Sequence, residues 1–332
     1  MAYTTWRRAR LATACAVLAA ATTVPVAAVS AQTPAGGLKT GTYLGAGGSI
    51  GYKVYVPSTY RRGTAVPLVV ALHGCTQSAD KFSKLSRLND LAAQKKFIVV
   101  YPEQTSSRNY MSCWNWFQTA HQNRGSGEPA LIAGVTNQIK QRYSVDSKRV
   151  YVTGLSAGGA MAEVMAYTYP DLYAAAGVGS GCEYGAGAAC AGWRSADPVQ
   201  AGQAAYKAMG RFARPMPFVV FQGDADTTVP PVNADQLVRA NQVAADWADD
   251  GAFNGSIPTA PTNVVNGQVP GGRSYTTSYY SDAQGHELGQ YVVVHGMGHA
   301  WSGGDPTQQY ADAAGPNESA AMYDFFMSHP AP

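Results

Sequence analysis

The run Leu68-Val69-Val70-Ala71-Leu72 places five apolar residues in succession over the length of one strand. A strand wetted on one face alternates apolar with polar side chains, so an uninterrupted run needs cover on both faces, as in a parallel sheet sandwiched between helices. Such segments recur along the chain, separated by amphipathic stretches of helix length. Strands are predicted over 52–56, 67–72, 97–101, 149–153, 174–179, 217–222 and 290–295, and helices over 80–95, 129–142, 158–169, 198–211, 233–250 and 319–328. This βαβα order specifies an α/β fold with a mostly parallel, doubly wound sheet. The Gly-, Pro- and Asn-rich stretch 251–272 reads as a surface excursion within one domain, because strand-like sequence resumes over 273–281. With 46% hydrophobic and 14% charged residues, the chain has enough apolar matter for a sizeable core and too little charge for a disordered polymer.

The net charge of +3 is concentrated at the front. Arg7, Arg8 and Arg10 precede an Ala- and Val-rich run ending in Val29-Ser30-Ala31, the order of a secretory signal with a small-residue cleavage site. Residues 1–31 are therefore read as a signal peptide, and the Arg7-Arg8 pair also suits a twin-arginine signal. A retained membrane anchor is the other reading, disfavoured by Thr22, Thr23 and Pro25 within the run. Removing those three arginines leaves a formally neutral chain with no electrostatic footprint for nucleic acid or anionic lipid. Neither nucleic acid nor, after cleavage, a membrane is expected as a partner, and the expected state is a monomer. Four cysteines then remain, Cys75, Cys113, Cys182 and Cys190, an even number that in an exported protein suggests two disulfides. Cys182–Cys190 closes a short Gly- and Ala-rich loop, which leaves Cys75–Cys113.

The chemistry is carried by Gly154-Leu155-Ser156-Ala157-Gly158. Val150-Tyr151-Val152 reads as a buried strand just before it, and 159–165 as a helix just after. A strand-to-helix turn this sharp strains the backbone at Ser156 and presents its hydroxyl above the sheet edge, next to the positive end of a helix. A serine hydroxyl attacks only when a base takes its proton, so an acid and a histidine should follow in the chain. Strand 217–222 runs into Asp224 and Asp226, and strand 290–295 into His295 and His299. Residues just past the carboxyl ends of parallel strands converge on one crevice. His299 is preferred as base because it lies on a glycine-flanked loop, whereas His295 falls within the strand. Asp226 is preferred over Asp224 because it lies further into its turn. The oxyanion donors are expected to be the N–H groups of Ala157 and of Cys75, the latter in His73-Gly74-Cys75-Thr76-Gln77 after strand 67–72. His73 is read as a structural hydrogen-bonding residue. His295 and His299 also form H-x-x-x-H, but Gly296-Met297-Gly298 argues against the helix a zinc site would need, so neither metal nor cofactor is expected. Trp114, Trp116 and Trp301 are read as lining an apolar cleft for substrate, with core packing as the competing role.

The motifs His73 to Gln77, Cys113-Trp114-Asn115-Trp116-Phe117, Gly154 to Met161, Gly223 to Val229 and Gly298-His299-Ala300-Trp301 together resemble the poly(3-hydroxybutyrate) depolymerase family of secreted α/β-hydrolase esterases, which shades into feruloyl and acetylxylan esterases. The resemblance spans about residues 38–330, implying a single α/β-hydrolase catalytic domain. It also implies a Ser156, Asp226 and His299 triad with Cys75 as an oxyanion residue. The expected function is a secreted serine esterase acting on hydroxybutyrate-type polyester or its oligomers. Feruloyl or acetylxylan esters are the alternative substrates, and a non-catalytic binding protein on a hydrolase fold is the rival of another class. Polymer-degrading members commonly carry a separate binding domain after the catalytic one, so short esters and oligomers are expected to be cleaved faster than solid polymer.

Overall fold

The computed structural model describes residues 1–2, 36–45, 47–191 and 197–332. The chain divides into residues 1–32 and residues 33–332, and the architecture below is that of the second unit. The proposed signal segment falls outside the described residues, apart from residues 1 and 2. Among the described residues, no helix is long and apolar enough to cross a membrane.

Ten strands form one sheet: β1 (Gly37–Gly45), β2 (Gly48–Val56), β3 (Val66–Leu72), β4 (Ile98–Glu103), β5 (Val145–Leu155), β6 (Ala176–Gly179), β7 (Phe218–Gly223), β8 (Asn263–Gln268), β9 (Ser274–Ser281) and β10 (Glu287–Val294). Their spatial order is β1-β2-β4-β3-β5-β6-β7-β10-β9-β8. The six central strands, from β4 to β10, are mutually parallel. Antiparallel pairs close both edges, β1 and β2 on one side and β9 and β8 on the other. This is an α/β-hydrolase fold. From β3 the chain steps outward to β4 and then back across to β5, so the strand order reverses between β3 and β5. A crevice opens at the carboxyl ends of strands at such a point.

The continuous apolar runs divide their side chains between two layers. Leu68, Val70, Leu72, Val150 and Val152 face one core, with Ile132 and Val135 of α3 (Gly127–Arg142) and Met161 and Val164 of α4 (Ala157–Thr168). Val69, Ala71, Tyr151, Val219 and Phe221 face the other, with Phe82 of α1 (Ala79–Leu85), Leu88 of α2 (Leu88–Lys95) and Phe325 and Phe326 of α7 (Glu318–Ser328). Each large apolar side chain buried here contributes about 1.5–3 kcal/mol, and a polar side chain on either face needs a partner, as Thr153 of β5 finds in Met322 and Gln222 of β7 in Asp226. The remaining helices, α5 (Pro198–Met209) and α6 (Val232–Asp250), pack on each other and on the first layer.

Three departures from the sequence expectation have identifiable causes. The helix expected over 80–95 is two helices, because Arg87 adopts a left-handed conformation with φ 55°. The last carbonyls of α1 are taken by groups from the C-terminal part of the chain: Leu85 O accepts from Asp305 N–H at 3.0 Å, and Ser86 O from Ser319 Oγ at 2.6 Å. Residues ahead of the first predicted strand form β1, and the excursion 251–272 contains β8. Both are edge strands with mostly exposed side chains, held by pairing to a single neighbour.

The two disulfides join Cys75 to Cys113 and Cys182 to Cys190, as expected. The first closes a loop of 38 residues and the second one of 8, which chain-entropy reasoning values at roughly 4 and 2.5 kcal/mol. Cys75–Cys113 joins the loop after β3 to the segment carrying Met111, and Thr76 N–H donates to Met111 O at 2.6 Å across the same junction. Limited reduction should therefore lower the ester hydrolysis expected from the sequence at least tenfold while far-ultraviolet circular dichroism still reports the native fold. Activity lost only together with the dichroism signal would mean that the bridge acts on global stability alone.

Two buried carboxyl groups are those of Glu163, within α4, and Glu183, after β6. Glu163 accepts one hydrogen bond, from Asn241 Nδ2 of α6 at 3.3 Å, and its Oε2 has no partner among the described residues, like the Oε2 of Glu183. Burial pushes Glu163 up to about 8 and Glu183 up to about 7, and each sits well above its ordinary 4.5. The folded state thus holds protons that the unfolded chain releases near 4.5, and stability should fall as pH rises from about 5 to about 8. A thermal-unfolding series across that window should show this decline, and Glu163→Gln, which keeps the neutral shape, should flatten it. An equal slope in the variant would place its origin elsewhere.

Candidate active site

β5 ends at Leu155 and α4 begins at Ala157, so Ser156 alone makes the turn, with φ 59° and ψ −121°. A non-glycine residue reaches this region only when its surroundings over-determine it. Here the Ser156 N–H donates to Gly179 O at 2.8 Å and the Ser156 carbonyl accepts from Ala160 N–H at 2.9 Å. A Cβ on Gly154 would run into the Gly158 and Leu72 carbonyls, and one on Gly158 into Leu72 and His73, so both ends of the turn require glycine.

Ser156 and His299 line one cavity of about 230 Å³, together with Gly74, Cys75, Met111, Leu155, Thr228 and Tyr310. His299 Nδ1 hydrogen-bonds Asp226 Oδ2 at 2.7 Å, with side-chain exposures of 10% and 0%. Its Nε2 has no protein partner among the described residues. The other Asp226 oxygen accepts the N–H groups of Thr228 at 2.8 Å and Val229 at 2.9 Å, and Gln222 Nε2 donates to Oδ2 at 3.3 Å. Burial would push this carboxyl up. The His299 hydrogen bond and charge and the two backbone N–H groups outweigh it and hold Asp226 below the ordinary carboxylate range. The acid therefore stays ionised at neutral pH and keeps Nδ1 protonated, which leaves Nε2 as the basic nitrogen.

Asp224 and His295 form a second pair, His295 Nδ1 to Asp224 Oδ2 at 2.9 Å, but both side chains are more than 40% exposed and neither lines the cavity. Asp224 also accepts the Gly296 N–H at 2.6 Å, and Ala225 N–H donates to Met297 O at 3.0 Å. The loop after β7 is thus laced to the loop after β10. A Cβ on Gly223 would strike the Met297 and Gly298 carbonyls, so glycine is what permits this approach. His295 lies one residue past the end of β10, and its N–H continues the ladder to Ser274 O at 3.0 Å.

The N–H groups of Cys75 and Ala157 have no backbone or side-chain acceptor among the described residues, and Cys75 borders the same cavity as Ser156. His73 is fully committed: its Nε2 accepts Gln104 N–H at 3.0 Å, its Nδ1 bonds Gly74 O at 2.8 Å, and burial holds it down at about 4. It is a neutral brace for the Cys75 loop.

The tryptophan reading needs correction. Trp114 and Trp301 are 0% exposed, their indole N–H groups donating to His73 O and Ser319 Oγ, each at 3.0 Å. Trp116 is partly buried and packs on Phe117. None of the three lines the cavity. The sequence placed them near the site correctly in one dimension, but the cores beneath the two loops claim their area.

Other contributors carried no motif. Tyr310, with φ 66°, stands edge-on 6.1 Å from the His299 ring. Glu318, fully buried at the start of α7, accepts Ser302 N–H at 2.8 Å just beyond the histidine loop. Gln222 steadies Asp226 from within β7. For Gln222 and Glu318 the only available signal was a polar residue among apolar neighbours.

Residues 50–251 match the family described as Esterase PHB depolymerase. The chain is 34% identical over 241 residues to poly(3-hydroxyalkanoate) depolymerase C of Paucimonas lemoignei, covering 70% of this chain and 54% of that protein, so it spans about half the length of that relative. It is 31% identical over 287 residues to acetylxylan esterase A of Talaromyces purpureogenus, covering 81% and 71% respectively. The solved acetyl xylan esterase from Aspergillus awamori superposes with a TM-score of 0.69 at 26% identity, covering 88% of this chain and all of that one. A family match over more than half the chain, on an α/β-hydrolase fold with a serine elbow and a buried His–Asp pair, makes this chain a member of the esterase PHB depolymerase family.

Proposed function

We propose that this protein is an exported serine esterase whose triad is Ser156, His299 and Asp226. The observation that carries the reading is the 2.7 Å bond from buried Asp226 to His299, the histidine that lines the same cavity as Ser156. Ser156 Oγ attacks the ester carbonyl as His299 Nε2 takes its proton, and Asp226 fixes the tautomer and stabilises the imidazolium. The N–H groups of Cys75 and Ala157 receive the oxyanion, each donor lowering the barrier by about 3–4 kcal/mol. His299 returns the proton to the departing alcohol, and water then cleaves the acyl-enzyme by the same steps in reverse. The paired cysteines support an extracellular setting.

For substrate, we infer short hydroxyalkanoate esters. The cavity is compact, and Leu155 and Met111 supply an apolar wall suited to a short acyl chain. Acetylated xylan is the second reading, favoured by the superposition that covers the whole Aspergillus awamori acetyl xylan esterase. Ser156→Ala or His299→Ala should lower kcat by about 10⁴- to 10⁶-fold without loss of fold. Asp226→Asn should cost at least a hundredfold more than Asp224→Asn, a test of which His–Asp pair does the chemistry. An inactive Asp224 variant beside an active Asp226 variant would reverse the assignment. For the substrate, kcat/KM on hydroxybutyrate oligomers should exceed that on acetylated xylan and methyl ferulate; a tenfold preference for either carbohydrate ester would move the enzyme to the second reading.

A further inference from the structure

We propose that a polar cavity beside Ser156 is the subsite for the leaving alcohol, and that it selects leaving units ending in a carboxylate through Lys81. This rests on the esterase reading above. The cavity, about 110 Å³, is lined by Thr76, Gln77, Lys81, Gln308, Gln309 and Tyr310. Three of these, Thr76, Gln77 and Tyr310, also line the Ser156 cavity, so the two spaces share a wall.

The direction of proton transfer says which half of the ester lies there. As the tetrahedral intermediate collapses, the bond from carbonyl carbon to leaving oxygen breaks, the Ser156 ester remains, and the leaving oxygen receives the proton His299 took from the serine. The alcohol must therefore depart on the histidine side. Tyr310 bounds that side, 6.1 Å from the His299 ring, and forms part of the second cavity. The only co-reactant is water, which later releases the acid.

The lining chemistry says what the alcohol carries. Three amides, two hydroxyls and one ammonium surround the space, and no carboxylate is among them. Gln77 Oε1 accepts Gly74 N–H at 2.9 Å, which orients its amide with the donor end left over. The Thr76 hydroxyl donates to Cys75 O at 2.6 Å, and Gln308 Nε2 to Thr307 Oγ1 at 3.0 Å. Lys81 makes no ion pair among the described residues; its neighbour Asp80 is held by Lys53 at 3.2 Å. The nearby Asp305 carboxylate accepts the Thr307 N–H and hydroxyl at 2.9 and 2.8 Å. Sugar hydroxyls both donate and accept and call for anionic acceptors, whereas a carboxylate only accepts. A cavity with a cation, amide donors and no acid suits the latter. A hydroxyalkanoate oligomer cut one unit from its acid end releases such an alcohol, with the carboxylate a short carbon spacer beyond the leaving oxygen.

The test compares wild type, Lys81→Gln and Lys81→Arg on the 3-hydroxybutyrate dimer as free acid and as methyl ester, on acetylated xylo-oligosaccharide and on p-nitrophenyl butyrate. The ratio of kcat/KM for the free acid over the methyl ester should fall about five- to tenfold in Lys81→Gln, chiefly through KM, and largely recover in Lys81→Arg. Added salt should lower the same ratio in the wild type. An unchanged ratio in Lys81→Gln would overturn the proposal, as would an equal loss on acetylated xylo-oligosaccharide, which would make the cavity a sugar site. Wild-type cleavage of p-nitrophenyl butyrate with neither dimer form attacked would also overturn it while the esterase reading stands. Failure on every ester would overturn the esterase reading itself.

Discussion

The strained turn at Ser156 is the constraint on which the rest of the site depends. A residue with a side chain is held at φ 59°, a conformation that costs of order 1–3 kcal/mol. Its surroundings offset that cost: the N–H is tied to Gly179, the carbonyl opens α4, and glycines before and after leave room for the Leu72 and His73 carbonyls. Only a sheet with β3 and β6 flanking β5 puts those partners in place. The parallel core therefore does more than bury area; it supplies the contacts that hold the half-buried serine at the cavity wall above the reversal point between β3 and β5.

Around that fixed serine the two functional loops are arranged as a matched set. The loops after β7 and β10 are laced together by backbone hydrogen bonds and by two His–Asp pairs of opposite character, one buried with its histidine at the cavity wall and one exposed away from it. The exposed pair resembles the buried one in geometry, but solvent screens it and no nucleophile shares its space. Burial is what separates them: Asp226 keeps its charge only because four donors converge on it, and an ionised acid in that position is what fixes the basic nitrogen of His299.

Much of this was legible in the chain. Continuous apolar runs such as 68–72 report a sheet covered on both faces, and the G-x-S-x-G turn between a strand and a helix locates Ser156 because strain and glycine requirement are local properties. The order of strand ends brings Asp226 and His299 to the same crevice for a topological reason. The edge strands β1 and β8 were illegible because pairing to one neighbour leaves no hydrophobic period. The break at Arg87 depends on Asp305 and Ser319, more than two hundred residues away in the chain. The tryptophans misled for a related cause: adjacency to His299 or Cys113 in sequence does not say which face of a loop an indole occupies, and a large apolar ring is pulled into the core whenever space beneath the loop allows. Tyr310 and Lys81, which border the cavities, lie in segments with no motif at all.

In the proposed reaction Ser156 becomes covalently acylated because His299, oriented by Asp226, takes its proton. Rapid-quench mass spectrometry during turnover of p-nitrophenyl acetate tests it most directly. One acetyl group is expected on the peptide containing Ser156, formed in a burst in the wild type and undetectable on that timescale in His299→Ala. Turnover without any acylated peptide, or an acetyl group on another residue, would contradict it.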